Sequence, residues 1–389
     1  MDIVEAFSDI EDFRRPQGRR YPPGPMLVIV IMSIACGYPA HREIGRFANA
    51  NIERLTEIFS LTQNRMPSHV TFRNLVQHTD FKCICQIFKS WAEQCVSTAS
   101  GDWLAVDGKA IAPTVSDYDN SFRDFVSLIS VFSQRRGQVV GFDRLSNKKS
   151  SEIPTSEEMV RVPGLKNVVF TTDALHCQKK TLKTIIESDN DHLVKVKGNQ
   201  PKLLESVRRK YETSAPTDVC ESVEKNRGRP EIREVSVFEP PSDIPKDWAG
   251  IIRVICVRRV FDTPKKYHAS VSYYISSITS DSAKLFAQGI RGHWHVENRL
   301  HYVKDVVMNE DDSGIRNVNA AADMSVFRNI VINIFRGNGF DSVKGASIFL
   351  PPTYENYTIY LELNSPAFLK GGAGGISVAL PEKSPSVPL

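Results

Sequence analysis

Asp107, Asp173 and Glu297 are the residues whose types and settings point to chemistry. Each aspartate closes a short apolar run, Trp103-Leu104-Ala105-Val106-Asp107 and Val168-Val169-Phe170-Thr171-Thr172-Asp173, and the glutamate falls on a helical pattern far downstream. Two carboxylates from strand ends and one from a helix are the hard oxygen ligands that a pair of Mg²⁺ ions, or Mn²⁺ in their place, needs for phosphoryl transfer on nucleic acid. An aspartate after a strand often serves only as a turn or cap residue, because its short side chain bonds the local backbone. Two such aspartates taken together with Glu297 outweigh that reading.

On the glutamate's helix, His293, Glu297, His301 and Lys304 recur at i, i+4, i+8 and i+11, which predicts one face lined by an acid and several phosphate contacts. His293-Trp294-His295 lacks the HExxH spacing of a zinc helix, and its two histidines leave on different faces. Neither a nucleophile elbow nor a P-loop or strand-borne GxGxxG occurs. Basic residues stand where a nucleic acid would pass: Lys109, Lys148-Lys149, Lys179-Lys180, Lys195 and Lys197 before Gly198-Asn199-Gln200, and Arg227-Gly228-Arg229. Alternation puts Lys195 and Lys197 on one strand face, and such phosphate contacts position a substrate and make its binding salt-dependent. Trp294 suits either stacking on an unpaired base or filling a core. Glu310-Asp311-Asp312 reads as a solvated helix end, since like charges prefer water.

The elements that must deliver these groups follow from the patterning. Residues 1–100 carry helical periodicity broken by Pro and Gly, with Ser68 placed to cap a helix and Arg14, Arg15, Arg19 and Arg20 forming a basic cluster near the start. From Trp103 the pattern turns to short strands at 103–107, 126–132, 138–143, 168–172 and 192–196 with a helix over 175–188, an α/β or α+β core. Residues 217–279 read as a separate all-β block inserted between the second and third carboxylates. Helices are expected from Ser280 or Asp281 through Glu297 and Leu300 to Val303, and from Asn319 to Phe335, and the Pro-, Gly- and Ser-rich texture after Leu350 predicts disorder.

At 389 residues with 41% hydrophobic and 24% charged side chains, the chain has room for two or three domains with real cores. A net charge of +4 permits nucleic-acid binding without arguing for it. The seven cysteines are irregularly spaced, which supports neither a disulfide framework nor zinc knuckles and fits a reducing cytoplasm; Cys83 and Cys85 read as half-buried thiols. Met26–Met32 is the most apolar run, but it stops before Gly37, short of the roughly 20 residues of a membrane span. It predicts a buried helix.

These motifs together resemble the bacterial insertion-sequence DDE transposases of the H-repeat-associated group. The matching stretches are Ala105-Val106-Asp107-Gly108-Lys109, Thr171-Thr172-Asp173-Ala174 with Cys177-Gln178-Lys179, Val196-Lys197-Gly198-Asn199-Gln200-Pro201, and His293-Trp294-His295-Val296-Glu297-Asn298 with Leu300-His301. Asp12-Phe13-Arg14, Gly18-Arg19-Arg20-Tyr21-Pro22 and Met66-Pro67-Ser68-His69-Val70-Thr71-Phe72 extend the likeness over about residues 5–348. The resemblance implies a helical N-terminal DNA-binding domain over 1–100 and an RNase H-like catalytic core over 101–348 with a β-rich insertion at about 210–280. A low-complexity tail would follow over 349–389. It implies Asp107, Asp173 and Glu297 as the catalytic triad holding two Mg²⁺ ions, and Lys109, Lys197, Asn199, His293, Trp294 and Lys304 against DNA, with Glu152 nearby. Glu297 and Lys304 fit the family's E-x6-K spacing, whereas His293 stands at its Arg place and Ile290 at its Tyr place.

The activity so implied is cleavage at the element's ends followed by strand transfer into target DNA, by in-line attack of water and then of a DNA 3′-hydroxyl. Two ends acted on by two sites favour a homodimer. Two other readings compete: a catalytically dead DNA-binding relic or regulator, to which the unmatched tail lends weight, and a stand-alone RNase H-like nuclease.

Overall fold

The structure is a computed structural model and describes residues 3–63, 65–96, 98–114, 126–146, 165–226, 229–263 and 266–349. Lys148, Lys149, Glu152, Arg227, Gly228 and the tail from 350 onward lie outside the described residues.

The first hundred residues form helices α1 (Ile3–Ala6), α2 (Pro23–Ala35), α3 (His41–Ala50), α4 (Ile52–Ile58), α5 (His69–His78) and α6 (Phe81–Cys95). Pro23 opens α2, where a missing N–H removes no helical bond. Every residue from Met26 to Ala35 is buried, as expected of a helix that is apolar all round. Ser68 caps α5 by accepting the Thr71 N–H, and Asp80 caps α6 by accepting the Lys82 N–H.

The strands are β1 (Trp103–Ala110), β2 (Val126–Ser133), β3 (Val139–Ser146), β4 (Val169–Thr172), β5 (Asp191–Val196), β6 (Asp218–Asn226), β7 (Arg229–Phe238), β8 (Arg253–Thr263) and β9 (Lys266–Ser276). Helices α7 (Lys179–Glu187), α8 (Pro201–Thr213), α9 (Ala283–His293), α10 (Val318–Gly337) and α11 (Val343–Phe349) follow among and after the strands. The sheet runs β3-β2-β1-β4-β5-β9-β8-β7-β6. β1, β4 and β5 are parallel neighbours, and α7 makes the crossover from β4 to β5.

The β-rich block is not separate. β9 pairs antiparallel with β5 from Leu193↔Ser276 to Val196↔Tyr273, so the insertion continues the central sheet. An uncovered β5 edge would leave a row of backbone donors and acceptors unmet, and β9 supplies their partners.

One apolar core is shared by the N-terminal helices, β1–β3 and α10, and includes Leu27, Ile31, Phe72, Phe88, Phe132, Phe142, Phe327 and Ile330. α10 is buried from Ala320 to Phe335 and packs against α2, α5 and α6. Two smaller cores serve β5–β9, one around Leu182, Val207, Phe238 and Trp248 and the other around Val237, Ile255, Phe286 and Ile290. Among the described residues no helix is long and apolar enough to cross a membrane.

Candidate metal and nucleic-acid site

β1 and β4 pair in register up to Val106↔Thr172. Asp107 continues β1 one residue past that pair, opposite Ser130 of β2, and Asp173 follows the end of β4, so the two stand about 4.8 Å apart at the same level of adjacent strands. The chain of α9 continues past His293 into two π-helical turns, Val296–His301 and Val303–Val307, and the first carries Glu297. Asp107, Asp173 and Glu297 all line one cavity of about 140 Å³, with Lys195, Lys197 and Trp294 also in its wall.

Two glycines let α9 come close enough. A side chain at Gly289 would enter the Trp103 ring on β1, and one at Gly292 would enter the Gln134 side chain. Polar bonds then hold the end of α9 in place. Gln134 Nε2 donates to Thr171 Oγ1 at 2.9 Å, Thr171 Oγ1 and His293 Nδ1 share a hydrogen bond of 3.0 Å, and His295 Nδ1 meets the Gln134 carbonyl at 3.0 Å.

Within the cavity the three acids are not equivalent. Asp107, Glu297 and His301 present ligand atoms that all lie within 4.8 Å of one another. His301 Nδ1 stands 3.6 Å from Asp107 Oδ2 and 3.4 Å from Glu297 Oε2. Asp173 stands outside this cluster: Oδ1 accepts the Leu175 N–H at 2.8 Å and Oδ2 lies 3.6 Å from Lys197 Nζ. Of the three carboxylates expected at one spot, Asp107 and Glu297 lie together, and Asp173 is turned toward the backbone and Lys197. His301 lowers the Glu297 carboxyl below its ordinary range through its hydrogen bond and charge, against the opposing effect of burial. For Asp173 burial pushes upward, but the Leu175 N–H and the Lys197 charge outweigh it. Both acids thus stay ionised at neutral pH, and an oxygen-rich set with one imidazole fits a divalent cation.

The structure corrects several sequence expectations. Lys304 was expected to face phosphate on the Glu297 side, yet it is 1% exposed, donates to Ser325 Oγ at 2.5 Å and lies 3.6 Å from Glu310. The i→i+5 bonding of the π turns widens the helix, so seven residues no longer return the chain to the same face. Lys109, expected to contact DNA, is held by Asp305 at 2.7 Å, Asp311 at 3.1 Å and Glu310 at 3.2 Å. Glu310 is no solvated helix end but 1% exposed, with Arg328 at 3.7 Å as a third cation beside it. His293 also lines the cavity, has its pKa pushed down to about 4 by burial and is bonded to Thr171, which leaves its ring neutral. Asn199 donates to the Ala174 carbonyl at 2.7 Å and braces the loop after Asp173. Lys197 is exposed, and Trp294 is 55% exposed on the rim.

Sequence reasoning read His301 only as a phosphate contact. Its place four residues after Glu297 was the available signal.

A family model described as "Transposase DDE domain" matches residues 100–334, and one described as "DDE_Tnp_1-associated" matches residues 4–92. The chain belongs to the DDE transposase family, enzymes that act on DNA and generally use divalent metal ions. Within that family it falls in the H-repeat-associated group. It is 34% identical to protein YbfL of Escherichia coli (strain K12) over 345 residues, 85% of this chain and 89% of that one. It is 33% identical to the H repeat-associated protein YhhI of the same strain over 345 residues, 85% of this chain and 89% of that one. Among solved structures it is similar to a piggyBac transposase synaptic complex with hairpin DNA, at a TM-score of 0.44 and 10% identity over 99% of this chain and 84% of that one, too distant to bear on the fold.

Proposed function

We propose that Asp107, Asp173 and Glu297 are the catalytic triad of a transposase that cuts DNA at the ends of an insertion sequence and joins those ends to target DNA. The observation that carries this reading is the placement of Asp107 on β1 and Asp173 just past β4, at one level of neighbouring parallel strands and in the wall of the cavity that Glu297 also lines. The order β3-β2-β1-β4-β5, with β1, β4 and β5 parallel, supports an RNase H-like core for this half of the sheet.

Asp107 and Glu297, with Asp173 across the cavity, would hold two Mg²⁺ or Mn²⁺ ions. Bound there, such ions supply an activated oxygen nucleophile and stabilise the leaving oxygen. The remaining tasks fall to this chain's own residues. Lys195 and Lys197 neutralise phosphate on the β5 side, Trp294 offers a face for an unpaired base, and the Gln134–Thr171–His293 bonds fix the end of α9 so that Glu297 keeps its distance from β1. Residues 1–100 serve end recognition, and two protomers pair two ends.

Asp107→Asn, Asp173→Asn and Glu297→Gln are each expected to slow cleavage of an end-containing duplex by roughly a thousandfold or more, the worth of several kcal/mol of metal-borne charge stabilisation. Three variants that cut as fast as the parent would overturn the triad. A parent that binds the duplex but never cuts it with Mg²⁺ or Mn²⁺ would make the protein a binding relic.

A further inference from the structure

We propose that His301 is itself a metal ligand, completing with Asp107 and Glu297 a mixed oxygen–nitrogen site that favours Mn²⁺ over Mg²⁺ more strongly than carboxylates alone would. The proposal rests on the reading that Asp107 and Glu297 face an ion.

Its first support is distance. The separations of 3.4 Å to Glu297 and 3.6 Å to Asp107 are long for charge-assisted hydrogen bonds, which run at about 2.7–2.9 Å. They match neighbours in a coordination shell, because bonds of about 2.1 Å set donor atoms about 3.0 Å apart at right angles and about 3.4 Å apart in a tetrahedron. Its second support is placement. His301 is 6% exposed and its Nε2 is buried without a partner, so the ring faces the two acids through Nδ1 alone. In the tautomer with its proton on Nε2, which gives up the long Nδ1–Glu297 hydrogen bond, three lone-pair atoms converge, and a cation between them turns mutual repulsion into binding.

The nearest lysine on the strand relieves that repulsion only weakly. Lys109, on the same face of β1 as Asp107, is drawn off to Asp305, Glu310 and Asp311. The site's preference follows from ligand softness: carboxylate and water suit Mg²⁺ and Mn²⁺ alike, whereas imidazole adds affinity for the transition ion.

The test uses the full chain with Mn²⁺ and no DNA. Electron spin-echo envelope modulation of the bound ion should show nitrogen coupling in the parent and in His78→Ala, a change at an exposed histidine on α5, and none in His301→Ala. His301→Asn should lower the ratio of Mn²⁺ to Mg²⁺ affinity, measured by calorimetric titration, by tenfold or more. Bound Mn²⁺ without nitrogen coupling in the parent, an unchanged affinity ratio, or coupling that persists in an Asp107→Asn/Glu297→Gln double variant would each overturn the proposal. Those results would leave the triad standing, since its failure is read separately from the cleavage rates of the three acid variants.

Discussion

Two clusters of charge lie side by side along one face of β1, built from the same side-chain types and put to opposite use. In one, Asp107, Glu297 and Asp173 open into a cavity, and the lysines in its wall among the described residues are Lys195 on β5 and Lys197 just past it. In the other, Lys109, Lys304 and Arg328 close around Glu310, with Asp305 and Asp311 at the margin. The second cluster balances itself: burial alone would raise the Glu310 carboxyl, yet the three cations hold it down to about 2. Burial pulls Lys304 down to about 8 despite Glu310, which fits a cation kept for structure and not for phosphate. The contrast teaches that a carboxylate sealed among cations ties strands and helices together, while one facing a cavity keeps its charge for something from outside.

Breaking the sealed cluster should have the largest effect. Glu310→Ala leaves three cations without their shared counter-charge and is expected to cost about 3–5 kcal/mol, measured by denaturant unfolding. Next comes the open side: Trp294→Ala should weaken binding to DNA with an unpaired end by about 1–3 kcal/mol, with the melting temperature unmoved because the ring is 55% exposed. Equal losses in affinity and melting temperature would instead make Trp294 a packing residue.

Acid should then separate the two clusters further. Because the folded Glu310 carboxyl sits near 2, below its ordinary 4.5, its contribution is fully present above 4.5 and is lost as pH falls toward 2. Over the one unit from pH 4.5 to 3.5 the parent should lose about 1 kcal/mol more than Glu310→Gln; identical pH profiles would contradict the tight pairing. The smallest effect is on salt dependence. Lys197→Gln should shallow the slope of log affinity for DNA against log salt by about one, whereas Lys304→Met should leave the slope alone.

The strand-borne acids were legible because β1 and β4 are central strands whose buried stretches end at the acids, although β1 itself runs on to Ala110. Ser68 was legible as a cap for a local reason, since the group it accepts from is three residues away. Lys304 misled because helical arithmetic assumes 3.6 residues per turn, and the π turns after His293 break that count. Glu310 was hidden because its partners come from β1, the second π turn and α10, so no short window contains them. The union of the inserted strands with the main sheet depends on β5 meeting β9, residues too far apart in sequence for alternation to pair them.

The burial of α10 has a further bearing on how the molecule can be divided. Lodged between the N-terminal helices and β2–β3, it would lose its cover if the first hundred residues were cut away, presenting Phe327, Ile330, Val331 and Ile334 to water. A fragment begun at Trp103 would therefore clump on expression instead of yielding a minimal nuclease, and any tug exerted on the leading helices would be felt directly by the scaffold beneath the acids.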